Sequence, residues 1–157
     1  MKTITEITRQ KPMPPQIRLA AYCRVSSDSS DQLHSFAAQI KYYSEYCKRH
    51  PEYKFVDIYA DEGVTRTSME KRDDFRRMLR DCKKGLIDRI IVKSMSRFAR
   101  NTEEMLTALR ALEQMEVSVY FEEQGLDTRS MNSEMFATFP GMIAQQESIS
   151  ISQNMRW

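Results

Sequence analysis

The feature that most constrains the fold is a regular alternation of β-rich apolar runs with segments of helical periodicity. Strands are predicted at four short runs, Ile17–Val25, Lys54–Ala60, Arg89–Lys93 and Val117–Phe121. Apolar residues at helical spacing follow each of the first three runs, and the chain from about Asn132 is again helical in pattern. This order predicts an α/β fold with a mostly parallel sheet of four to five strands flanked by helices.

The chain divides into three segments by composition. Residues 1–16 lack periodicity and end in a proline cluster, which is typical of a flexible leader. Residues 17–131 have the length and apolar content of one globular domain. Residues 132–157 predict the start of a long helix that is interrupted at Pro140-Gly141 and ends without a capping glycine, as a truncated helix would.

Composition excludes several function classes. No run approaches the roughly 20 apolar residues of a membrane helix, and the start lacks a signal core, so we expect no membrane partner and a cytoplasmic protein. The 3 cysteines are far apart, which argues against a disulfide framework or a metal knuckle. With 4 glycines, 2 histidines and no Gly-rich phosphate motif, we expect neither a metal nor a small-molecule cofactor.

A net charge of +2 hides a strong polarity along the chain. Residues 66–100 contain 12 basic and 5 acidic side chains, whereas residues 101–157 contain 3 basic and 9 acidic ones. Such a basic segment indicates either a solvated helix face or a site for a polyanion. The positions of the arginines have to decide between the two.

Several arginines follow the predicted strands directly. Arg24 and Ser26 end the first strand, and Arg72 comes after the second. Arg97 and Arg100 follow the third strand, and they would share one face if a helix begins there. Because the carboxyl ends of parallel strands meet at one edge, four guanidiniums and a hydroxyl are predicted to converge there. This set favours serine attack on a phosphodiester, with arginines stabilising the transition state.

Ordinary structural roles compete with this interpretation. A serine after a strand more often caps a helix, and Glu103 or Asp73 could pair with some of the arginines. The basic residues between Arg76 and Lys84 are expected to form a solvated helix face. Cys23 alternates with Arg24 on the strand, so we expect it to be a core residue rather than a reactive thiol.

Further patterns predict structural roles. Asn101 with Glu104 predicts an N-cap at the start of the third helix of the domain. Met78 and Met105 are expected in the core, whereas Met131, Met135 and Met142 are expected at an interface with a partner subunit.

Several motifs resemble one known family. They are YCRVS at Tyr22–Ser26, the downstream Gln39, the Lys71-Arg72 pair and VKSMSRFARN at Val92–Asn101. Together they are similar to the catalytic domain of serine recombinases, the resolvase/invertase superfamily. The final segment AQQESISISQNMRW, Ala144–Trp157, resembles the start of the long helix in the large serine recombinases of phages and conjugative transposons. The resemblance implies a resolvase-like three-layer fold.

The resemblance also implies roles for individual residues. Ser26 would be the nucleophile that forms a 5′-phosphoserine link with DNA, and Gln39 a polar helper. The matching active-site arginines are Arg24, Arg72, Arg97 and Arg100. Supporting roles are expected for Tyr22, Asp61, Ser96 and Glu147, and DNA contacts for Arg66, Lys71, Lys93 and Arg156. Ser96 stands where small resolvases carry an aspartate, and what deprotonates Ser26 stays open between Asp61 and an arginine-ordered network.

By resemblance, the partner is double-stranded DNA, and a homodimer assembles into a tetramer that exchanges strands by rotation. The reaction would need neither metal nor ATP and would serve integration or excision of a mobile element. Two alternatives remain at this point. The chain could be an inactive DNA-binding module, or a metal-dependent nuclease using Asp61-Glu62 and Asp127.

Overall fold

A computed structural model describes residues 15–25, 29–62, 72–99 and 101–131 and the helical positions 138 and 141; for residues 29–35 it describes the backbone. The strands are β1 (Ile17–Val25), β2 (Tyr53–Glu62), β3 (Arg89–Val92), β4 (Ser118–Phe121) and β5 (Leu126–Asp127). The helices are α1 (Ser29–Arg49), α2 (Asp73–Lys83), α3 (Met95–Phe98) and α4 (Thr102–Gln114), and Thr128–Ser130 forms a 3₁₀ turn.

The strands form one five-stranded sheet in the order β2-β1-β3-β4-β5. β1 lies between β2 and β3 and pairs in parallel with both. β4 continues the parallel order, whereas β5 runs antiparallel to β4. The predicted α/β fold with a mostly parallel sheet is therefore confirmed.

β5 is the one strand in the described part of the chain that the sequence pattern did not predict. It follows a tight turn in which Gly125 has a φ of +59°, a left-handed conformation that favours glycine. With only two residues, Leu126 and Asp127, the strand is too short to show an alternating pattern. Short elements of this kind are defined by their partner strand, here β4.

Two apolar layers cover the sheet. On one face, Leu19, Ala21 and Cys23 of β1 pack with Tyr43 of α1. On the other face, Ala20 and Tyr22 pack against helices α2, α3 and α4. The alternation along β1 thus follows the pleat of the strand, with odd-numbered positions facing α1. The expected core positions Met78 and Met105 are buried on the second face, at 0% and 2% exposure.

A buried ion pair joins the amino end of β3 to β5. Both Nη atoms of Arg89 donate to the carboxylate of Asp127, each at 2.9 Å. The Arg89 side chain is only 4% exposed, so its charge depends on this partner. Burial opposes ionisation of Asp127, but hydrogen bonds from Arg89 and Arg129 outweigh it and lower the pKa of Asp127 to about 2.

We expect Asp127→Asn to destabilise the fold by about 3 kcal/mol at neutral pH, because Arg89 is left buried and unneutralised. The matched control is Asp88→Asn, which removes the more exposed ion pair with Arg18 and is expected to cost clearly less. The measurement is urea unfolding of both variants. Equal losses would contradict this assignment.

The same pair predicts a pH dependence. Since folding lowers the pKa of Asp127 below its ordinary value of about 3.9, the ion pair stabilises the fold above that pH. Its contribution is lost as the pH falls toward about 2. The stability difference between wild type and Asp127→Asn should therefore shrink across this window.

Candidate active site

A cleft of about 500 Å³ lies at the carboxyl edge of the sheet, between the strand ends and α1. The predicted site residues among its lining are Tyr22, Arg24, Gln39, Lys93 and Arg97. They come from β1, from α1, and from the segment that follows β3. Of the four arginines that the sequence placed at this edge, Arg24 and Arg97 line the cleft.

Some predicted residues fall outside the described part of the chain. They are Ser26, Arg66, Lys71, Arg100, Glu147 and Arg156, together with the interface methionines Met135 and Met142. Their roles stay predictions. The described residue nearest to Ser26 on the amino-terminal side is Val25, the end of β1.

The helix that contains Arg97 is short. α3 ends at Phe98, and Ala99 is extended with φ −147° and ψ 153°. The next helix begins at Thr102, after Asn101 has capped it through a 2.8 Å bond from the backbone N–H of Glu104. Arg100 lies outside the described residues, so the expectation that it shares a helix face with Arg97 stays a prediction. The predicted capping pair of Asn101 and Glu104 is confirmed.

Arg72 is not among the residues that line the cleft. It is 8% exposed and packs against the aromatic rings of Tyr22 and Phe75, with its guanidinium carbon 3.7 Å from the centroid of the Phe75 ring. Its carboxylate partner is Glu104, at 2.6 Å, rather than Glu103 or Asp73. Tyr22 lies between the two regions, because it borders the cleft and also contacts Arg72.

Asp61 has a structural role that the sequence did not indicate. Its carboxylate accepts hydrogen bonds from the Tyr22 hydroxyl at 2.8 Å and from the backbone N–H groups of Asp74 and Phe75 at 2.9 and 3.0 Å. It thereby binds free N–H groups at the start of α2, as a capping carboxylate does. Three donors already occupy its oxygens, so the structure offers no support for Asp61 as the base that activates Ser26.

Glu122 is a cleft residue that the sequence reasoning missed. It follows β4 directly, and its carboxylate accepts hydrogen bonds from the hydroxyls of Tyr42 at 2.6 Å and Tyr43 at 3.0 Å. The bond to Glu122, together with burial, raises the pKa of Tyr42 to about 12. Both tyrosines belong to α1, so the contacts hold α1 against the end of β4. Its position at a strand end was the signal that could have found it.

Other predicted residues have simpler outcomes. Burial raises the pKa of the Cys23 thiol to about 12, and the side chain is 3% exposed, which confirms a core position rather than a reactive thiol. Ser96 is exposed, and its hydroxyl lies 3.1 Å from that of Ser94. Met131, expected at an interface, is half-buried and packs against the core.

Within the described residues, no group of three or more His, Cys, Asp or Glu side chains could hold a metal ion. No helix in the same part of the chain is both long and apolar enough to cross a membrane.

A family model described as the N-terminal domain of resolvases matches residues 19–157. The chain belongs to the resolvase family. The match covers most of the chain, and membership supports site-specific DNA recombination as the activity and DNA as the partner. A search of curated proteins finds no match.

Solved structures of serine recombinases are similar to this domain. A resolvase family site-specific recombinase from Streptococcus pneumoniae is 28% identical, with 90% of this chain and 95% of that chain covered and a TM-score of 0.65. The N-terminal catalytic domain of TP901-1 integrase is 19% identical, with 89% and 99% covered and a TM-score of 0.64. The C-terminal catalytic domain of ISC1926 TnpA, an IS607-like serine recombinase, is 22% identical, with 68% and 70% covered and a TM-score of 0.54. The fold and family expected from the sequence, a serine recombinase catalytic domain, are confirmed.

The two cleft glutamates allow a matched electrostatic comparison. Glu122→Gln and Glu123→Gln each remove one negative charge from the cleft, so each is expected to tighten binding of duplex DNA roughly 2- to 5-fold at low salt. Only Glu122→Gln should also reduce stability, by roughly 1–2 kcal/mol, because a tyrosine hydroxyl loses its acceptor. Fluorescence anisotropy and urea unfolding measure the two effects. A stability loss of the same size in Glu123→Gln would contradict this role of Glu122.

Proposed function

We propose that this recombinase domain cuts DNA through Ser26, which attacks a phosphodiester and forms a 5′-phosphoserine intermediate. The supporting observation is the cleft that gathers three cationic side chains, Arg24, Lys93 and Arg97, around one edge of the sheet. Arg24 lies two residues before Ser26 on the same chain segment. A nucleophile at this edge would meet positive charge, which favours attack on an anionic phosphodiester.

The proposed chemistry conserves the energy of the phosphodiester. The Ser26 oxygen bonds to phosphorus, the bond from phosphorus to the 3′-oxygen breaks, and the proton from serine ends on the 3′-hydroxyl. Rejoining reverses these steps, since a 3′-hydroxyl attacks the phosphoserine and releases the serine. One phosphate ester replaces another in each step, so the reaction needs no ATP. Guanidiniums stabilise the extra negative charge of the five-coordinate transition state.

Assembly is part of the proposal. Two subunits bind each DNA site as a dimer, and two dimers form a tetramer in which covalently linked subunits rotate before rejoining. A mobile element would be integrated or excised by this exchange. These features come with the serine recombinase family to which the chain belongs.

The metal-dependent nuclease gains little support from the described residues. It would need a carboxylate cluster at the carboxyl edge of the sheet, but Asp61 there is engaged in capping α2. Asp127 pairs with Arg89, the first residue of β3, at the opposite edge. The two carboxylates therefore lie at different ends of the sheet.

Covalent capture tests the proposal without knowledge of the target site. The chain is incubated in EDTA with a pool of duplexes whose central sequence is randomised, and adducts that survive denaturation are isolated. After nuclease digestion, peptide mass spectrometry is expected to find a nucleotide on Ser26, because the intermediate is a phosphoserine ester. Ser26→Ala, the matched control, should give no adduct.

Three results would contradict it. An adduct on another residue would remove Ser26 as the nucleophile. DNA binding without any adduct would favour the inactive module. Cleavage products that form only with Mg²⁺ and carry no protein would favour the nuclease.

The role of Arg97 can be tested on the captured sequences. Arg97→Ala is expected to slow adduct formation about 100- to 1,000-fold, because one charged donor to the transition state is lost. Arg97→Lys keeps the positive charge but cannot donate two parallel hydrogen bonds, so its rate should lie between those of wild type and Arg97→Ala. Arg80→Ala changes an exposed arginine of α2 and is the control that should leave the rate unchanged. A normal rate in Arg97→Ala would remove this residue from the site.

A further inference from the structure

The planar guanidinium group of Arg72 has aromatic rings against its flat side and hydrogen-bond acceptors at its terminal nitrogens. The Phe75 ring stacks on its guanidinium at 3.7 Å, and the Tyr22 ring lies 5.6 Å away. One terminal nitrogen donates to a Glu104 carboxylate oxygen at 2.6 Å, and the other donates to the backbone carbonyl of Phe98. A planar group fixed in this way has one orientation, since both its plane and its rotation within the plane are determined.

These contacts link three elements of the chain. Arg72 immediately precedes α2, Phe98 ends α3, and Glu104 lies in the first turn of α4. Phe98 is the residue after Arg97, which lines the cleft. The bonds to Phe98 and Glu104 therefore fix the position of Arg72 relative to the segment that carries Arg97.

Glu104 is itself held in place. The side chain of Asn101 accepts a hydrogen bond from its backbone N–H at 2.8 Å, which fixes the start of α4. Its neighbour Glu103 has the same charge in the same turn but is exposed. The two glutamates share the first turn of the helix and the same charge, and Glu104 is the one that contacts Arg72.

The guanidinium of Arg72 retains a donor that the described residues do not use. Its Nε atom is buried and has no hydrogen-bond partner within the described part of the chain. Buried N–H groups almost always have a partner, so this donor is an exception. Because it is buried, a phosphate oxygen can accept a hydrogen bond from it only when the groups that cover it move.

We propose that Glu104 is a positioning residue, which orients Arg72 so that this arginine and Arg97 act on the same phosphate. The proposal rests on the proposed function, because it assigns Arg72 to the transition state. Glu104 does not touch DNA in this scheme and acts only through Arg72. In a competing role, the ion pair with Glu104 keeps Arg72 away from the DNA until the pair breaks. Removal of Glu104 would then accelerate the reaction.

The experiment compares Glu104→Ala, Glu104→Gln and the matched control Glu103→Ala in single-turnover adduct formation on the captured duplexes. Glu104→Ala is expected to slow the reaction about 100-fold, the size of effect that a misplaced group of this kind produces. Glu104→Gln keeps a hydrogen-bond acceptor, so its rate should fall less than that of Glu104→Ala. The rate of Glu103→Ala should equal that of wild type. Duplex DNA affinity should change less than about twofold in all three, since phosphate steering is unaffected.

A double-mutant cycle separates positioning from a general structural role. If Glu104 acts through Arg72, then Glu104→Ala has no further effect on the rate in an Arg72→Ala background. Additive losses, a wild-type rate in Glu104→Ala or a faster rate would each overturn the proposal. None of these results would affect the assignment of Ser26, which the adduct itself establishes.

If no adduct forms, the proposed function fails. Whether Glu104 orients the guanidinium of Arg72 can still be tested by a spectroscopic measurement. The arginine Nε–Hε signals of the chain are recorded by NMR and assigned with Arg72→Lys. Arg72 should give a sharp signal outside the crowded region in wild type and in Glu103→Ala. In Glu104→Ala it should move into the crowded region and exchange faster with water. An unchanged Arg72 signal in Glu104→Ala would show that Glu104 does not orient the guanidinium.

Discussion

The parallel pairing of β1 with both neighbours is the constraint on which the rest of the structure depends. Because β1 lies between β2 and β3, its carboxyl end stands beside the ends of both strands. Arg24 is thereby placed beside a segment that lies far away in sequence and contains Lys93 and Arg97. A shift of β1 by one residue would move every side chain of this strand to the opposite face of the sheet. The buried residues from Leu19 to Cys23 disfavour such a shift, and in this way they also keep Arg24 in the cleft.

Much of the fold could be predicted because its elements are long or strongly patterned. β1 begins and ends as predicted, and the Asn101 cap was readable from residue types alone. β5 could not be predicted, since its two residues are too few to show an alternating pattern, and no residue type marks the end of α3 at Phe98. For the site, the ends of the strands pointed to Arg24 and Arg97, and the resemblance pointed to Lys93, but no local pattern reveals that Arg72 pairs with Glu104. Which of the neighbouring carboxylates pairs with Arg72 depends on the folded structure.

Part of the basic middle segment has a structural role. Arg72, Arg77 and Arg89 are each paired with carboxylates, and the last is nearly buried. Arg77 additionally covers the Tyr59 ring at 4.2 Å. These three charges are already compensated within the fold, so the net charge of the segment overstates the positive charge that is left for a phosphate. The charge count allowed either a solvated helix face or a polyanion site, and it could not identify which arginines would form such a site.

The Arg89–Asp127 ion pair and the cleft lie at opposite ends of the same strands. The structure thus separates a stabilising ion pair from the cationic cleft. A substitution that changes the stability of the domain at one end can therefore leave the arrangement of the cleft at the other end unchanged.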